Sequence, residues 1–589
     1  MVPVCQEGFE KEKMSTLKQL DYLLDKKTKL KVFGMFVMIL IGSAAELLGI
    51  TIILPIVNLA MDTGDYTQNT YCKIIIQMTS ANSKEQVLLW LIGITIVLYI
   101  LKNLYLCWMH KVQYHFSAFV RMELATKLMS SYLVQSYSYF LNVNSSELIR
   151  GVTTDVDQLF QLINNILSVA SNGITAIAII VFLAISNIWM TLTIALILGI
   201  CLCIIIFGLQ RKNRKNGRLN QYYNGQLTKH LRQAFEGVKE IKIMNTEKHF
   251  IGLYKTTYEK IANLYVKYSL YSVLPKYMIE LFAILSILGY LGINIIFNPN
   301  YMTLLPQLAV FCVAAYKLLP SVNAMYASFN MLIYYKASID LVYHDIKEAD
   351  ELDSSFDEKD EQSEMSFEDK IVLENVSFKY DNTDKDILSE INISIPKGKS
   401  VAFIGPSGGG KTTTADIVLN LLNPYRGTVK IDGVDVRSNE NGWKRKIGYI
   451  PQAIYLTDDT IRANVAFGVE QEEVDDEKVW GALRSAQLET FVKSLPDGLD
   501  TMVGERGARI SGGQKQRIGI ARALYRDPEV LVFDEATSAL DNETEKEVMR
   551  AIEGLQGTKT ILMIAHRLST IEKCDIVYKV ENGTIVRER

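Results

Sequence analysis

A chain of 589 residues is too long for one ordinary domain, so at least two are expected. Its formal net charge of −3 argues against a broadly basic, nucleic-acid-binding surface. The hydrophobic fraction is 49%, and the long apolar runs crowd into the stretch before about residue 335, leaving the remainder to read as a soluble domain.

Seven cysteines, Cys5, Cys72, Cys107, Cys201, Cys203, Cys312 and Cys574, show no metal-ligand spacing with histidine support, and four lie in apolar runs. They read as free, mostly buried thiols rather than a disulfide framework. The lysine-rich first thirty residues carry no short apolar stretch with a small-residue cleavage site, so no removable signal peptide is expected.

Crossing a bilayer as a helix takes about 20 mostly apolar residues. Six stretches qualify: about Val32 to Ala60, Val87 to Met109, Ile163 to Ile185, Met190 to Gly208, Met278 to Phe297, and Met302 to Leu319. Basic residues set the orientation. Lys111, Arg121 and Lys127 follow the second span, and Arg211, Lys212, Arg214, Lys215 and Arg218 follow the fourth. The opposite loops, Ser186 to Trp189 and Asn298 to Tyr301, carry no positive charge. Both termini are therefore expected in the cytoplasm. The long basic segments keep a helical period with few breakers, which predicts membrane helices that run far into the cytoplasm and turn back. Tyr66 to Gln86, on the outer side, holds Tyr71, Ile74, Ile75, Ile76 and Met78 among polar residues. It reads equally well as an interfacial helix or as an ordinary loop.

The composition turns acidic from Lys347 to Lys370, EADELDSSFDEKDEQSEMSFEDK, and predicts a solvated linker. From Ile371 onward, short β-branched runs alternate with helical stretches, an α/β pattern. The expected boundaries are 1–346 for the membrane domain, 347–370 for the linker and 371–589 for the soluble domain.

The chemistry is concentrated in that last part. A buried-strand run, Val401 to Ile404, leads into GPSGGGKT, Gly405 to Thr412, and then a helix. Glycines let backbone amides close around phosphate, and the helix start adds partial positive charge. Lys411 can reach terminal phosphates and the Thr412 hydroxyl can ligate magnesium. A second apolar strand, Val530 to Phe533, ends in Asp534 and Glu535, a carboxylate suited to magnesium followed by one suited to polarising an attacking water. ISGGQ, Ile510 to Gln514, places a Ser511 N-cap and two glycines at another helix start.

Together these motifs resemble the nucleotide-binding domain of ABC ATPases over roughly Ile371 to Arg589, with Ile510 where the family's signature usually begins with leucine. The resemblance implies an α-helical membrane domain of six transmembrane helices with long cytoplasmic extensions, fused to an α/β P-loop ABC ATPase domain. It implies ATP and Mg2+ as cofactors. Nucleotide contacts follow at Tyr380, Gly405, Ser407, Gly408, Gly409, Gly410, Lys411, Thr412 and Thr413. Ser511, Gly512, Gly513, Gln514 and Asp541 of the SALD segment would lie at the dimer interface. Magnesium would be held by Thr412, Gln452 and Asp534. Glu535, His566 in IAHRLS and Gln452 in IGYIPQ would be the catalytic set. GERG, Gly504 to Gly507, resembles the loop that touches the membrane helices in exporters. Taken singly, His566 and Tyr380 would read as packing residues. One nucleotide domain per chain, with Glu535 and the signature intact, implies a homodimer. In the membrane half, SSELIRGVTTD, Ser145 to Asp155, and EGVKEIK, Glu236 to Lys242, resemble the exporter segments around the two coupling helices.

Charges inside apolar spans are functional hypotheses by default. Glu46, Lys102, Lys276 and Lys317 stand out, with Glu280 one turn after Lys276. Three lysines on three helices, if they converge, would bind an anionic group; the competing reading is helix-to-helix pairing. FVMILIGSAAELLGITIILPIVNLA, VLPKYMIE and AAYKLLPSVN resemble the bacterial flippase family for lipid-linked oligosaccharides of protein N-glycosylation, in which arginines occupy the positions of Lys102, Lys276 and Lys317. Lysine keeps the charge and loses the bidentate geometry. The resemblance implies an anionic glycolipid as cargo, a bacterial inner-membrane location and no nucleic-acid partner. An exporter of hydrophobic drugs, peptides or other lipids is the alternative cargo class. A soluble ABC ATPase and an ATP-gated channel are the readings from other classes.

Overall fold

The computed structural model describes residues 16–51, 56, 59, 77, 83–297, 305–353, 365–381, 383, 385–534, 542–565 and 571–589. The chain divides into two compact units, one of residues 1–135 and 142–355, the other of residues 136–141 and 356–589.

The first unit is helical. After α1 (Thr16–Leu23) come α2 (Lys26–Thr51) and α3 (Lys84–Val134), the latter capped by the Ser83 hydroxyl, which accepts from Gln86 N. Next in the chain is α4 (Tyr137–Asn142), nearly all of which belongs to the second unit; the first unit resumes with α5 (Ser145–Arg150), α6 (Val156–Ser186) and α7 (Ile188–Glu236). A turn is α8 (Val238–Met244), closed by Asn245 in the left-handed region at φ 53°. It leads to α9 (Glu247–Phe297), α10 (Leu305–Tyr334) and α11 (Lys336–Asp353). At 1.5 Å per residue α3 is about 75 Å long, well over twice a bilayer's apolar thickness.

Among the described residues, four helical runs are long and apolar enough to cross a membrane: Lys26–Gly49, Lys84–Val134, Ser145–Ser186 and Glu247–Ile296. The helices α7 and α10, which hold the other two expected spans, include side chains outside the described residues. Large apolar side chains such as Leu89, Ile96, Leu104, Ile177 and Ile185 are exposed along α3 and α6, as a lipid-facing surface requires. The loop 298–301 and all of the outer segment 66–86 except residues 77 and 83–86 lie outside the described residues.

Ser145 to Asp155 is continuous helix: α5 passes through a π-helical turn, Gly151–Asp155, straight into α6. One feature differs from the sequence expectation: the acidic stretch is partly folded. Residues 347–353 complete α11, because Ile339, Val342, Tyr343, Ile346 and Ala349 form a buried helical stripe. At its far end Met365 and Phe367 sit in the core of the second unit.

The second unit is α/β with two sheets. The smaller is antiparallel, β2 (Leu388–Pro396), β1 (Lys370–Phe378), β4 (Arg426–Ile431) and β5 (Val434–Asp435) in spatial order. The larger has the order β10 (Thr584–Arg587), β9 (Ile576–Glu581), β3 (Ser400–Ile404), β8 (Thr560–Ile564), β7 (Val530–Asp534) and β6 (Ile447–Ile450). All its neighbours are parallel except β9 and β10. One apolar core, holding Trp443, Phe403, Val532 and Ile431, joins the faces of both sheets. A second, with Phe533, Ile520 and Val479, packs the opposite face against helices. Strands β7 and β8 are buried at every residue, which is the pattern of a parallel sheet covered on both sides.

Candidate ATP site and membrane charges

Parallel strands end on one edge of a sheet, and ligands gather beyond their carboxyl ends. Here β3 runs into the phosphate loop, β6 into Pro451 and Gln452, β7 into Asp534, and β8 into Ala565. The topology thus brings to one edge motifs that lie far apart in sequence.

The phosphate loop is built for close backbone approach. Gly405 has φ +138°, and a Cβ there would stand 2.1 Å from the Val580 carbonyl oxygen. Gly410, at φ +104°, precedes α12 (Lys411–Val418), and a Cβ on it would meet Leu388 at 2.8 Å. Ser407 and Gly408 are exposed at the tip of the loop, while Gly409 is buried beneath it. Lys411 is buried, with Nζ donating to the Gly405 and Pro406 carbonyls at 3.0 Å each. Its ammonium is thus held against the loop that it would share with phosphate. Thr412 faces solvent; Thr413 is buried and its hydroxyl lies 3.2 Å from that of Tyr380. Tyr380 is half-buried, with its ring at right angles to that of Phe378 at 5.1 Å.

Asp534 is buried at the end of β7 and Gln452 is exposed after β6. A carboxylate, a free threonine hydroxyl and an amide are oxygen donors of the kind magnesium takes. Sequence reasoning missed Asp416. Burial, then the Asp534 carboxylate, pushes its carboxyl up to about 6. The spacing in KTTTAD, one helical turn and a half after Lys411, was the available signal.

The helix of the second phosphate-binding motif, Gly512–Leu524, opens on a full capping box. The Ser511 hydroxyl accepts from Gln514 N at 3.3 Å and the Gln514 side chain accepts from Ser511 N at 3.0 Å. Ser511 and Gly512 are exposed and Gly513 is buried. Glu535, Asp541 and His566 lie outside the described residues.

In the membrane unit the charges do not form one cluster of three lysines. Lys317 Nζ lies 3.9 Å from Glu46 Oε1, their side chains 30% and 23% exposed. Lys102, 7% exposed, lies within electrostatic reach of both, and its Nζ sits 4.6 Å from the centre of the Tyr99 ring. Lys276 is exposed on α9, beside Tyr277 at 5.8 Å. Tyr99, three residues before Lys102, was also missed. A further buried knot joins α5, α6, α7 and α11. Asp155, fully buried, accepts from Arg150 Nε at 2.9 Å, Ser338 Oγ at 2.9 Å and Gln221 Nε2 at 3.4 Å.

Comparison with known proteins gives matches over both units. Residues 388–538 match the ABC transporter family, and residues 32–317 match the ABC transporter transmembrane region. The ATP-dependent lipid A-core flippase of Burkholderia thailandensis is 30% identical over 471 residues, 79% of this chain and 78% of that protein. Its counterpart in Desulfotalea psychrophila is 31% identical over 458 residues, 77% of this chain and 78% of that protein. A solved bacterial Atm1-family ABC exporter with ATP bound shares the fold at a TM-score of 0.75, covering 95% of each chain at 22% identity.

Proposed function

Since this chain belongs to the ABC transporters and couples ATP hydrolysis to transport through a multi-pass membrane region, we propose that it flips an amphipathic anionic lipid across the inner membrane as a homodimer. The finer reading is a polyprenyl-pyrophosphate-linked oligosaccharide. The observation that carries it is the pair of lysines, Lys102 and Lys317, held in membrane helices with a single carboxylate, Glu46, between them in charge. Cations in an apolar span are costly, and an anionic headgroup is the ligand that offsets them. The similarity to ATP-dependent lipid A-core flippases supports a lipid cargo.

In this reading Tyr380 stacks on adenine, and the loop from Gly405 to Gly410, with Ser407 and Thr413, wraps the phosphates. Lys411 leaves its two carbonyls for the terminal phosphates. Thr412, Asp534 and Gln452 would hold magnesium, which supplies charge neutralisation on the phosphates when bound. Glu535 polarises water and His566 contacts the γ-phosphate. Ser511, Gly512, Gly513 and Gln514 of one subunit, with Asp541, complete the site of the other. Lys276, exposed beside α9's apolar span, would meet the headgroup on its way in rather than in the Lys102 cluster.

Proteoliposomes with fluorescent lipids test the proposal. ATP-dependent movement of an undecaprenyl-diphosphate sugar is the expected result. Movement of uncharged drugs with no effect of anionic lipid would instead favour the drug-exporter class.

A further inference from the structure

The contact between Glu46 and Lys317 is loose for an ion pair. At 3.9 Å it is outside hydrogen-bond range, and both side chains keep part of their surface open. Around it the structure is tighter. The Tyr99 hydroxyl donates to the Gly49 carbonyl at 2.9 Å, tying α3 to α2 one turn beyond Glu46. The Tyr99 ring supports the Lys102 ammonium. Tyr99 thus holds Lys102 and joins the two helices, and the contact between Glu46 and Lys317 is the loose one. The three charges sum to +1.

We propose that Glu46 is a displaceable counter-ion that holds Lys317 until a doubly charged lipid headgroup takes its place, and that helps to expel that headgroup. The inference rests on the reading of this chain as an anionic-lipid flippase. Without substrate, Glu46 neutralises Lys317 and leaves Lys102 as the uncompensated cation. A singly charged headgroup matches that +1 state with Glu46 in place. A pyrophosphate diester carries two charges, and both are matched only when Lys317 is released to it. Glu46 then stands beside a bound dianion. Its return to Lys317 weakens the hold on the headgroup, which is what a transporter needs for release. The same competition works against tight trapping, since a site that binds too well does not turn over.

This arrangement has an electrostatic signature that a structural ion pair lacks. Removing the Glu46 charge favours a ligand in proportion to the ligand's own charge. The experiment measures the half-saturating lipid concentration for stimulation of ATP hydrolysis in nanodiscs. Three probes are used: undecaprenol, an undecaprenyl phosphosugar with one charge, and an undecaprenyl diphosphosugar with two. In Glu46→Gln the half-saturating concentration is expected to fall by about threefold for one charge and about tenfold for two, with no change for undecaprenol. The double variant Glu46→Gln/Lys317→Gln removes both members of the pair and keeps Lys102. It should lose the preference for two charges over one. Equal shifts for all three probes, or a retained preference in the double variant, would overturn the role of Glu46. Absence of any lipid response in the unaltered protein would instead remove the flippase reading on which it stands.

Discussion

The Tyr326 hydroxyl on α10 donates to the Tyr271 carbonyl on α9 at 3.2 Å. That carbonyl is the one whose helical donor Pro275, four residues on, cannot supply. With no helical N–H to meet it, that part-buried carbonyl takes its hydrogen from a neighbouring helix. Tyr326→Phe should therefore destabilise the membrane unit by about 1 kcal/mol. Thermal unfolding in detergent would show the drop. With Pro275→Ala in place, the backbone supplies its own N–H and the same Tyr326→Phe change should cost much less. An equal cost in both backgrounds would refute the assignment.

Gly405→Ala should weaken nucleotide binding by more than about tenfold, because its Cβ would have to displace the Val580 carbonyl oxygen or move the loop. A fluorescent ATP analogue titrated onto the full protein measures it. Gly481, half-buried on a helix with nothing within 4 Å of its would-be Cβ, provides the control: Gly481→Ala should leave binding unchanged.

Glu535→Gln should keep ATP binding and lower turnover by about a hundredfold or more, the usual contribution of a general base. Measuring bound nucleotide and released phosphate on the same preparation separates the two. Undiminished phosphate release would take Glu535 out of that role.

Asp575 ties the start of β9 to β3: Oδ2 accepts from Ser400 N at 2.9 Å and Oδ1 from Lys399 Nζ at 3.2 Å. The Ser400 amide is the main cause holding its carboxyl below the ordinary range. A depressed carboxylate stabilises the fold above its unfolded-state value and loses that contribution as pH falls through its folded-state value. Asp575→Asn should thus be less stable than the parent at pH 7, and the gap should close below about pH 4. Emission from buried Trp443, followed through acid and denaturant titrations, reports it.

What the sequence discloses follows from the range of the interaction. The phosphate loop was readable because strand, glycines, lysine and helix are contiguous, and each glycine's need is local. The capping box at Ser511 and Gln514 was half-readable, as a serine before a helix. The long helical rods of α3 and α7 followed from the scarcity of breakers after their apolar spans. The partner of Glu46 was not readable, because helix rotation decides whether Lys317 or Lys102 faces it, and packing sets rotation. Asp155 looked like part of a polar tip; its partners Gln221 and Ser338 are 66 and 183 residues away. The apolar stripe from Ile339 to Ala349 was present in the sequence but was overshadowed by the acidic residues around it.

The Ser511 cap has one more consequence. A hydroxyl has two acceptor lone pairs and a single hydrogen. The capping box draws on a lone pair, since the Gln514 amide is the donor. Among the described residues the hydrogen has no acceptor, and Ser511 is exposed at the positive end of a thirteen-residue helix. An incoming phosphate oxygen can take that proton without unmaking the cap, so the helix would enter a complex already in the shape that it keeps there.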